Sequence, residues 1–201
     1  MPGEGGAARR RRSVPLPASL PLSSSKHSLT DHEGTFLSLV LRIEPTTAYQ
    51  VTKVYEDSPV SNFNTSKGKI YPLIRRLEER GLLRKRMVPG DRRGTEELFC
   101  TEEGKAAVTA WVSQIRDSHV LLDDPLRTKV QSFDLLTKDQ QVAWIMEAKQ
   151  RLLDKLAELD SYRKEVDVPY KDFLHDNAVQ STRARMDWLD RMLLSVMNGG
   201  G

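Results

Sequence analysis

The sequence of 201 residues contains one cysteine, few aromatic residues and no long hydrophobic run. Its only cysteine, Cys100, excludes an internal disulfide framework and is typical of a protein from a reducing compartment. The apolar runs are far shorter than the roughly 20 residues that span a bilayer, so we expect no membrane segment. The arginines at positions 9–12 are followed by prolines instead of an apolar stretch, which argues against a secretory signal.

Residue patterns of enzymes and metal sites are also missing from the sequence. The four histidines are scattered along the chain without the spacing of metal ligands. No phosphate-binding glycine loop, HExxH motif or G-x-S-x-G motif occurs. We therefore expect no cofactor, no metal and no enzymatic activity.

The positive charge of the chain is concentrated in one segment. Between Lys67 and Arg93 there are ten cations and three anions, a net charge of +7, whereas the whole chain carries +3. The residues from Asp117 to the C-terminus carry a net charge of −3. Because a localised positive field attracts polyanions, this distribution favours a nucleic-acid partner over an ordinary solvated helix face.

The same segment has the element order of a winged helix-turn-helix domain. A basic helix is predicted over residues 65–80, followed by Gly81 in a left-handed conformation. Two strands, at 82–88 and 95–99, then form a β-hairpin with an arginine-rich turn. Such a domain places its helix in the major groove of DNA and its hairpin, the wing, on the neighbouring backbone.

The N-terminal residues 1–34 are rich in glycine, proline, serine and arginine and lack periodicity, which predicts a disordered basic tail. Its four consecutive arginines are interpreted either as a solubilising segment or as an arm that touches DNA phosphates. A first helix is expected from Thr35 to Glu44, because the residue before a proline avoids the helical conformation. A second helix begins at Thr46 or Thr47.

Beyond residue 116 the sequence predicts a helical region. A short helix opens after Asp124, and Thr137 with Gln140 forms a capping box for a long helix, which is broken near Pro169. The long helix and the final helix each carry a narrow apolar stripe with little else in the chain to cover it. We therefore expect a partner chain to cover both stripes, which gives a homodimer.

The predicted fold class is mainly α with a small β-hairpin wing. We divide the chain into a disordered basic tail (1–34), a winged helix-turn-helix DNA-binding domain (35–116) and an α-helical dimerisation domain (117–201).

Several segments resemble the PadR family of bacterial transcriptional regulators. They are LSLVL at 37–41, TAYQV at 47–51, GKIYPLIRRLEERGL at 68–82 and TEEG at 101–104. The third contains the pattern G-x-[LIV]-Y-P-x-[LI]-x-x-L-E-x-x-G-L, which is well above a generic helix-turn-helix match in specificity. The resemblance is strong over residues 35–115 and weaker over the C-terminal helices, which look like those of the larger subgroup with a helical dimerisation region.

Two positions depart from the family pattern. Ala48 stands where the family usually has glycine, and Phe99 with Cys100 stands where one or two tyrosines usually precede the threonine after the second wing strand. What the resemblance implies is a cytoplasmic, nucleoid-associated dimer that regulates transcription, often as a repressor. It also implies a response to a small aromatic or amphipathic effector.

Candidate DNA-binding residues lie on the second helix, the basic helix and the wing. They are Thr47, Tyr49, Lys53, Ser66, Lys67, Lys69, Tyr71, Arg75, Arg76, Arg92 and Arg93. Tyr71 is interpreted either as a core aromatic residue or, by family likeness, as a hydrogen-bond donor to a phosphate. Residues expected in the core of this domain are Leu73, Ile74, Leu77 and Leu82.

Candidate dimerisation residues lie on the two long C-terminal helices. They are Val142, Ile145, Leu152, Leu156, Leu159, Phe173, Trp188, Leu189 and Met192. Trp111 and Trp144 are candidate effector-lining residues, with packing in the core and at the dimer interface, respectively, as the alternatives. Cys100 is interpreted as a small apolar strand residue, with a thiol sensor as the alternative.

The sequence leaves two functional hypotheses. The first is a sequence-specific DNA-binding regulator that dimerises through its C-terminal helices on a palindromic operator. The second is a winged-helix scaffold that binds proteins and has no useful affinity for DNA. The localised charge of +7 favours the first hypothesis, because a scaffold has no need of it.

Overall fold

In a computed structural model, the residues described are 28–60, 67–91, 94–121 and 123–199. Within them the chain forms helices and one two-stranded antiparallel sheet, as predicted. In chain order the elements are α1 (Asp31–Ile43), α2 (Ala48–Glu56), α3 (Lys67–Glu79), β1 (Leu83–Met87), β2 (Glu96–Cys100), α4 (Glu102–Val112), α5 (Pro125–Val130), α6 (Lys138–Glu165) and α7 (Lys171–Met197). None of the helices in these ranges is long and apolar enough to cross a membrane.

The first helix begins earlier than the sequence pattern indicated. Thr30 and Glu33 form a capping box, in which each side chain accepts a hydrogen bond from the backbone amide of the other residue. This cap starts α1 at Asp31, and the preceding Leu29 is only 2% exposed. The prediction that the tail extends to residue 34 is therefore wrong for residues 28–34, and residues 1–27 lie outside the described part of the chain.

The predicted caps Thr47, Asp124 and Thr137 are found at the starts of α2, α5 and α6, and Thr101 caps α4 in the same way. Thr47, Thr101 and Thr137 accept hydrogen bonds from backbone amides of α2, α4 and α6, and the Asp124 carboxylate caps α5. Gly81 has a φ of 71°, the left-handed value predicted for the end of α3.

Helices α1–α4 and the hairpin enclose one apolar core. Its fully buried centre is formed by Phe36, Leu37, Val40, Val51, Leu73, Leu77 and Leu82. Close approach of α1 and α4 depends on Gly34, where an added Cβ would lie 2.3 Å from the ring of Trp111. Gly104 has the same role beneath the wing, since a Cβ there would lie 2.1 Å from the Leu82 carbonyl oxygen.

The wing is an antiparallel hairpin that pairs Leu83 with Cys100 and Met87 with Glu96. Its strands match the predicted ones to within one residue at each end. Thr46 forms an isolated β-bridge with Leu98 of β2, in which the Leu98 amide donates to the Thr46 carbonyl oxygen across 2.7 Å. The wing is thereby fixed to the segment that begins α2.

Helices α6 and α7 form an antiparallel hairpin whose apolar stripes face each other. The exposed fractions of Ile145, Leu152, Leu159 and Leu189 are 0%, 9%, 2% and 0%. The expectation that a partner chain must cover these four residues is therefore wrong. Ile145, Leu152 and Leu189 pack in a core formed by the hairpin and α5, and Leu159 is buried on the side of the hairpin that faces α1 and α2. Phe133 completes this core with an edge-to-face contact of 5.2 Å to Trp144.

Candidate nucleic-acid interface

The exposed face of α3, the recognition helix of this fold, is the centre of the candidate interface. Its inner face is formed by Ile70, Leu73, Ile74 and Leu77, none of them more than 2% exposed. The predicted core positions in and after this helix are thus confirmed. Because the inner residues recur at helical spacing, they fix the outward set, which is Lys69, Tyr71, Pro72, Arg75 and Arg76.

Two tyrosines lie on the open side of the helices. Tyr49 of α2 is 66% exposed and Tyr71 of α3 is 67% exposed. Together with Lys85 and Thr95 of the hairpin they line a groove of about 290 Å³ between α2, α3 and the wing. The interpretation of Tyr71 as a core residue is therefore wrong, and its exposed hydroxyl is able to donate a hydrogen bond to a phosphate oxygen.

The two adjacent arginines of α3 point in different directions. Arg75 Nε donates to Glu79 Oε1 across 2.7 Å on the open surface, and this carboxylate raises the pKa of Arg75. Arg76 Nε instead donates to Oε1 of Glu33, on α1, across 3.3 Å. Arg80 Nη1 lies 3.1 Å from the other oxygen of Glu33, whose side chain is 7% exposed. A buried anion of α1 therefore holds one edge of the recognition helix.

The start of α2 contributes a second set of candidate contacts. Thr47 Oγ1 accepts from the Gln50 amide across 3.2 Å, so its hydroxyl hydrogen is not used in this cap. Tyr49 and Lys53 are both exposed and are separated by one helical turn, which places them on the same side of α2. The predicted residues of α2 thus reach the surface next to the groove.

The wing holds a group of arginines that sequence reasoning missed. The guanidinium carbons of Arg84 and Arg86 lie 4.4 Å and 4.7 Å from the ring centre of Phe99, which is a cation–π arrangement. Arg86 also donates to Glu97 across 2.8 Å. The available signal was strand alternation, because two arginines at positions i and i+2 share the face of an aromatic residue on the paired strand.

Ion pairs leave part of the positive charge uncompensated. Lys85 lies 3.0 Å from Glu78 and 3.5 Å from Glu96, and the Glu78 carboxylate in particular raises the pKa of Lys85. In contrast, neither Lys69 nor Arg84 has a carboxylate partner among the described residues. The candidates Ser66, Arg92 and Arg93, and the side chain of Lys67, lie outside what the structure describes.

The predicted dimerisation residues divide into three groups. Ile145, Leu152, Leu159 and Leu189 are buried within the single chain. Phe173, at 76% exposure, is open to solvent. The partly buried remainder consists of Val142, Leu156, Trp188 and Met192.

The two tryptophans predicted to line an effector site instead pack against neighbouring residues of two separate cores. Trp111 packs on Gly34 and donates its indole N–H to Asp31 Oδ1 across 3.0 Å, and Trp144 packs on Phe133.

A separate pocket of about 220 Å³ lies between α1 and α2 on one side and the α6–α7 hairpin on the other. Its walls include Leu39, Val54, Tyr55, Leu159, Tyr162, Val168 and Leu174, and its polar residues include Arg42, Lys171 and His175. Sequence reasoning missed it because these residues are far apart in the chain.

Cys100 has the surroundings of a packing residue. It is 6% exposed, and burial raises the pKa of its thiol to about 11, so the nucleophilic thiolate is scarce at neutral pH. Its backbone amide donates to Glu44 Oε2 across 2.6 Å. In the part of the chain that the structure describes, no group of His, Cys, Asp and Glu residues could hold a metal ion.

Solved structures of bacterial regulators share this fold. Bacillus subtilis PadR in complex with operator DNA has a TM-score of 0.69 and 18% identity, with 82% of this chain and 98% of that chain covered. The PadR-like transcriptional regulator BC1756 of Bacillus cereus has a TM-score of 0.66 and 20% identity, with 87% and 99% covered. Bacillus subtilis PadR in complex with p-coumaric acid has a TM-score of 0.66 and 17% identity, with 82% and 97% covered. A comparison with curated proteins finds no match.

The fold and the interface define a winged helix-turn-helix domain followed by a helical hairpin. Residues 36–110 also match the model of the transcriptional regulator PadR-like family. The matched region contains α2, α3 and both strands, together with residues 36–43 of α1 and most of α4. The winged-helix domain of this chain is therefore similar to the PadR-like family of transcriptional regulators.

Proposed function

We propose that the protein is a sequence-specific DNA-binding transcriptional regulator that acts as a homodimeric repressor on a palindromic operator. The observation that carries the proposal is the joint surface of α2, α3 and the wing. There Tyr49, Tyr71 and Lys69 are exposed, and the wing also carries the arginine pair on Phe99. These are the residue types that bind phosphates and base edges, and they lie on the elements that enter DNA in this fold.

Selection of bound fragments from a random DNA library tests this proposal directly. We expect enrichment of one consensus with two inverted half-sites, since a dimer of identical readers mirrors its two-fold symmetry in the DNA. The alternative, a protein-binding scaffold, predicts that no sequence is enriched and that the affinity for DNA stays at the level of any cationic surface.

A homodimer is supported by apolar side chains that the hairpin leaves open. On α6 they are Met146 and Leu153, at 52% and 45% exposure, and on α7 Phe173, Leu194 and Met197 are more than half exposed. Exposed apolar side chains grouped on a surface often mark a protein interface, so we assign the cover of these residues to a second copy of the hairpin. Sedimentation at micromolar concentration tests this, and a purely monomeric protein contradicts it.

Release by a small effector is the second part of the proposal. The pocket between α1, α2 and the hairpin is mainly apolar and has cations at its edge, which fits an amphipathic or aromatic anion. A DNA-displacement titration with small aromatic acids, repeated with Val54→Trp to fill the pocket, tests the assignment. Displacement that survives Val54→Trp but disappears in Trp144→Phe would place the effector elsewhere.

A further inference from the structure

Glu33 lies at the junction of α1 and α3, with 7% of its side chain exposed. Its Oε2 accepts from the Thr30 amide across 3.1 Å and lies 3.1 Å from Arg80 Nη1, and its Oε1 accepts from Arg76 Nε. Burial acts to raise the pKa of Glu33, but the Thr30 amide and the two arginines outweigh it and hold that pKa below its ordinary value. The carboxylate is therefore ionised at neutral pH, and both of its oxygens have partners within the protein.

The geometry of arginine makes this contact directional. The guanidinium is a rigid plane with Nε on one edge and two Nη groups beyond it, so a carboxylate at Nε fixes the orientation of the plane. The side chain of Arg76 is 55% exposed, and its Nη groups make no hydrogen bond to any residue that the structure describes. Lys69 lies two helical turns before Arg76 on the same face of α3.

We propose that Glu33 is a positioning residue for DNA binding, which holds Arg76 by its Nε so that the Nη groups meet a phosphate of the DNA backbone. This inference rests on the proposed DNA-binding function. It gives a role to a residue of α1 that is too buried to touch DNA. Arg80, which is also bonded to the Ser28 carbonyl oxygen across 3.0 Å, keeps the carboxylate in place.

The sign of a charge-removal experiment separates positioning from electrostatics. Removing a negative charge near DNA strengthens the attraction for phosphates, so a purely electrostatic role of Glu33 predicts tighter binding for Glu33→Gln. Loss of positioning predicts weaker binding, by roughly tenfold for one charge-assisted contact. Glu103→Gln is the matched control, because Glu103 is an exposed residue of α4 and has no ion pair among the described residues.

The experiment measures the affinity of the full chain for its selected operator over a range of salt concentrations. We expect Glu33→Gln to bind about tenfold more weakly, Arg76→Ala to lower the salt slope by about one, and Glu103→Gln to bind equally or slightly more tightly. In an Arg76→Ala background, Glu33→Gln should have no further effect. A methylphosphonate at one operator position should weaken the parent protein and leave Arg76→Ala unchanged.

Thermal unfolding of each variant shows whether the fold is retained, and Arg76→Lys covers the case in which Glu33→Gln unfolds. Lysine keeps the charge but lacks the Nε edge, so positioning predicts a loss of affinity similar to that of Arg76→Ala. If Glu33→Gln tightens binding as the control does, or if Arg76→Lys binds like the parent, the inference is overturned. If the parent protein selects no DNA sequence, the proposed function fails instead.

Discussion

At the scale of single residues, two tyrosines distinguish a contribution to DNA binding from a contribution to stability. The Tyr55 hydroxyl has a partner inside the protein, whereas the Tyr71 hydroxyl is open to solvent. The Tyr71 hydroxyl is on the open face of α3, and 67% of the residue is exposed. The Tyr55 hydroxyl donates to the Thr35 carbonyl oxygen across 2.9 Å, and burial raises its pKa. The two residues therefore form a matched pair for substitution by phenylalanine.

Tyr71→Phe should weaken binding to all DNA sequences by a factor of a few and leave the free energy of unfolding unchanged, because only a phosphate contact is removed. Tyr55→Phe should lower the free energy of unfolding by about 1 kcal/mol, since a hydrogen bond that ties α2 to α1 is lost. Fluorescence anisotropy and urea denaturation measure the two quantities. A loss of stability in Tyr71→Phe would contradict this assignment.

Asp31 predicts a pH dependence of stability. Hydrogen bonds from Trp111 and His119, together with the charge of Arg116, hold the pKa of Asp31 below its ordinary value of about 3.9. A carboxyl whose pKa is lower in the folded state stabilises the protein above its unfolded pKa, and this contribution is lost as the pH falls through the folded pKa. The difference in unfolding free energy between the parent protein and Asp31→Asn should therefore be constant above about pH 5 and shrink below about pH 4.

A series of urea denaturations between pH 3 and pH 6 measures this difference. Lys105→Gln is a suitable control, since it removes an exposed charge of α4 whose partner is Glu102 instead of Asp31. A difference that stays constant down to pH 3 would show that the bonds to Asp31 do not depend on its ionisation.

At the scale of elements, the starts of α2, α5 and α6 were predicted from the sequence because a cap involves residues only two or three positions apart. The wing strands were predicted because the glycines and the alternation are local as well. The burial of Ile145 and Leu189 within a single chain was not predicted, because an apolar stripe on a helix can pack equally well against the same chain or against another. The contact of Glu33 with Arg76 joins residues 43 positions apart, and no local pattern indicates it.

The helical hairpin offers a test of the distinction between internal cover and intermolecular cover. Ile145→Ala should lower the free energy of unfolding by about 2–5 kcal/mol, because it leaves a cavity in the α6–α7 core. Phe173→Ser should have little effect on monomer stability, since 76% of Phe173 is exposed, but should raise the dissociation constant of the proposed dimer. Denaturation at two protein concentrations and sedimentation separate the two effects. An unchanged dimer in Phe173→Ser would exclude that residue from the interface.

At the scale of the whole molecule, the N-terminal residues are a second positively charged segment besides residues 67–93. Residues 1–27 contain Arg9, Arg10, Arg11, Arg12 and Lys26 against one anion, Glu4. Removal of residues 1–27 should therefore lower the affinity at low salt by a factor that does not depend on DNA sequence, and the difference should fade above about 0.15 M salt. Fragment selection with the shortened protein is the check, and a changed consensus would show that these residues read bases.

Helix α1 connects three parts of the molecule that are described separately above. Its first turn holds Arg76 through Glu33 and Trp111 through Asp31, and its later turns line the pocket against the α6–α7 hairpin. Leu29, just before it, is buried, and its carbonyl oxygen accepts from Arg116 across 2.9 Å. A DNA-reading module transplanted into another protein would therefore have to begin at residue 28 and extend through residue 119. A fusion cut at the family-match boundaries, 36 and 110, would leave the recognition helix without the carboxylate that holds its edge.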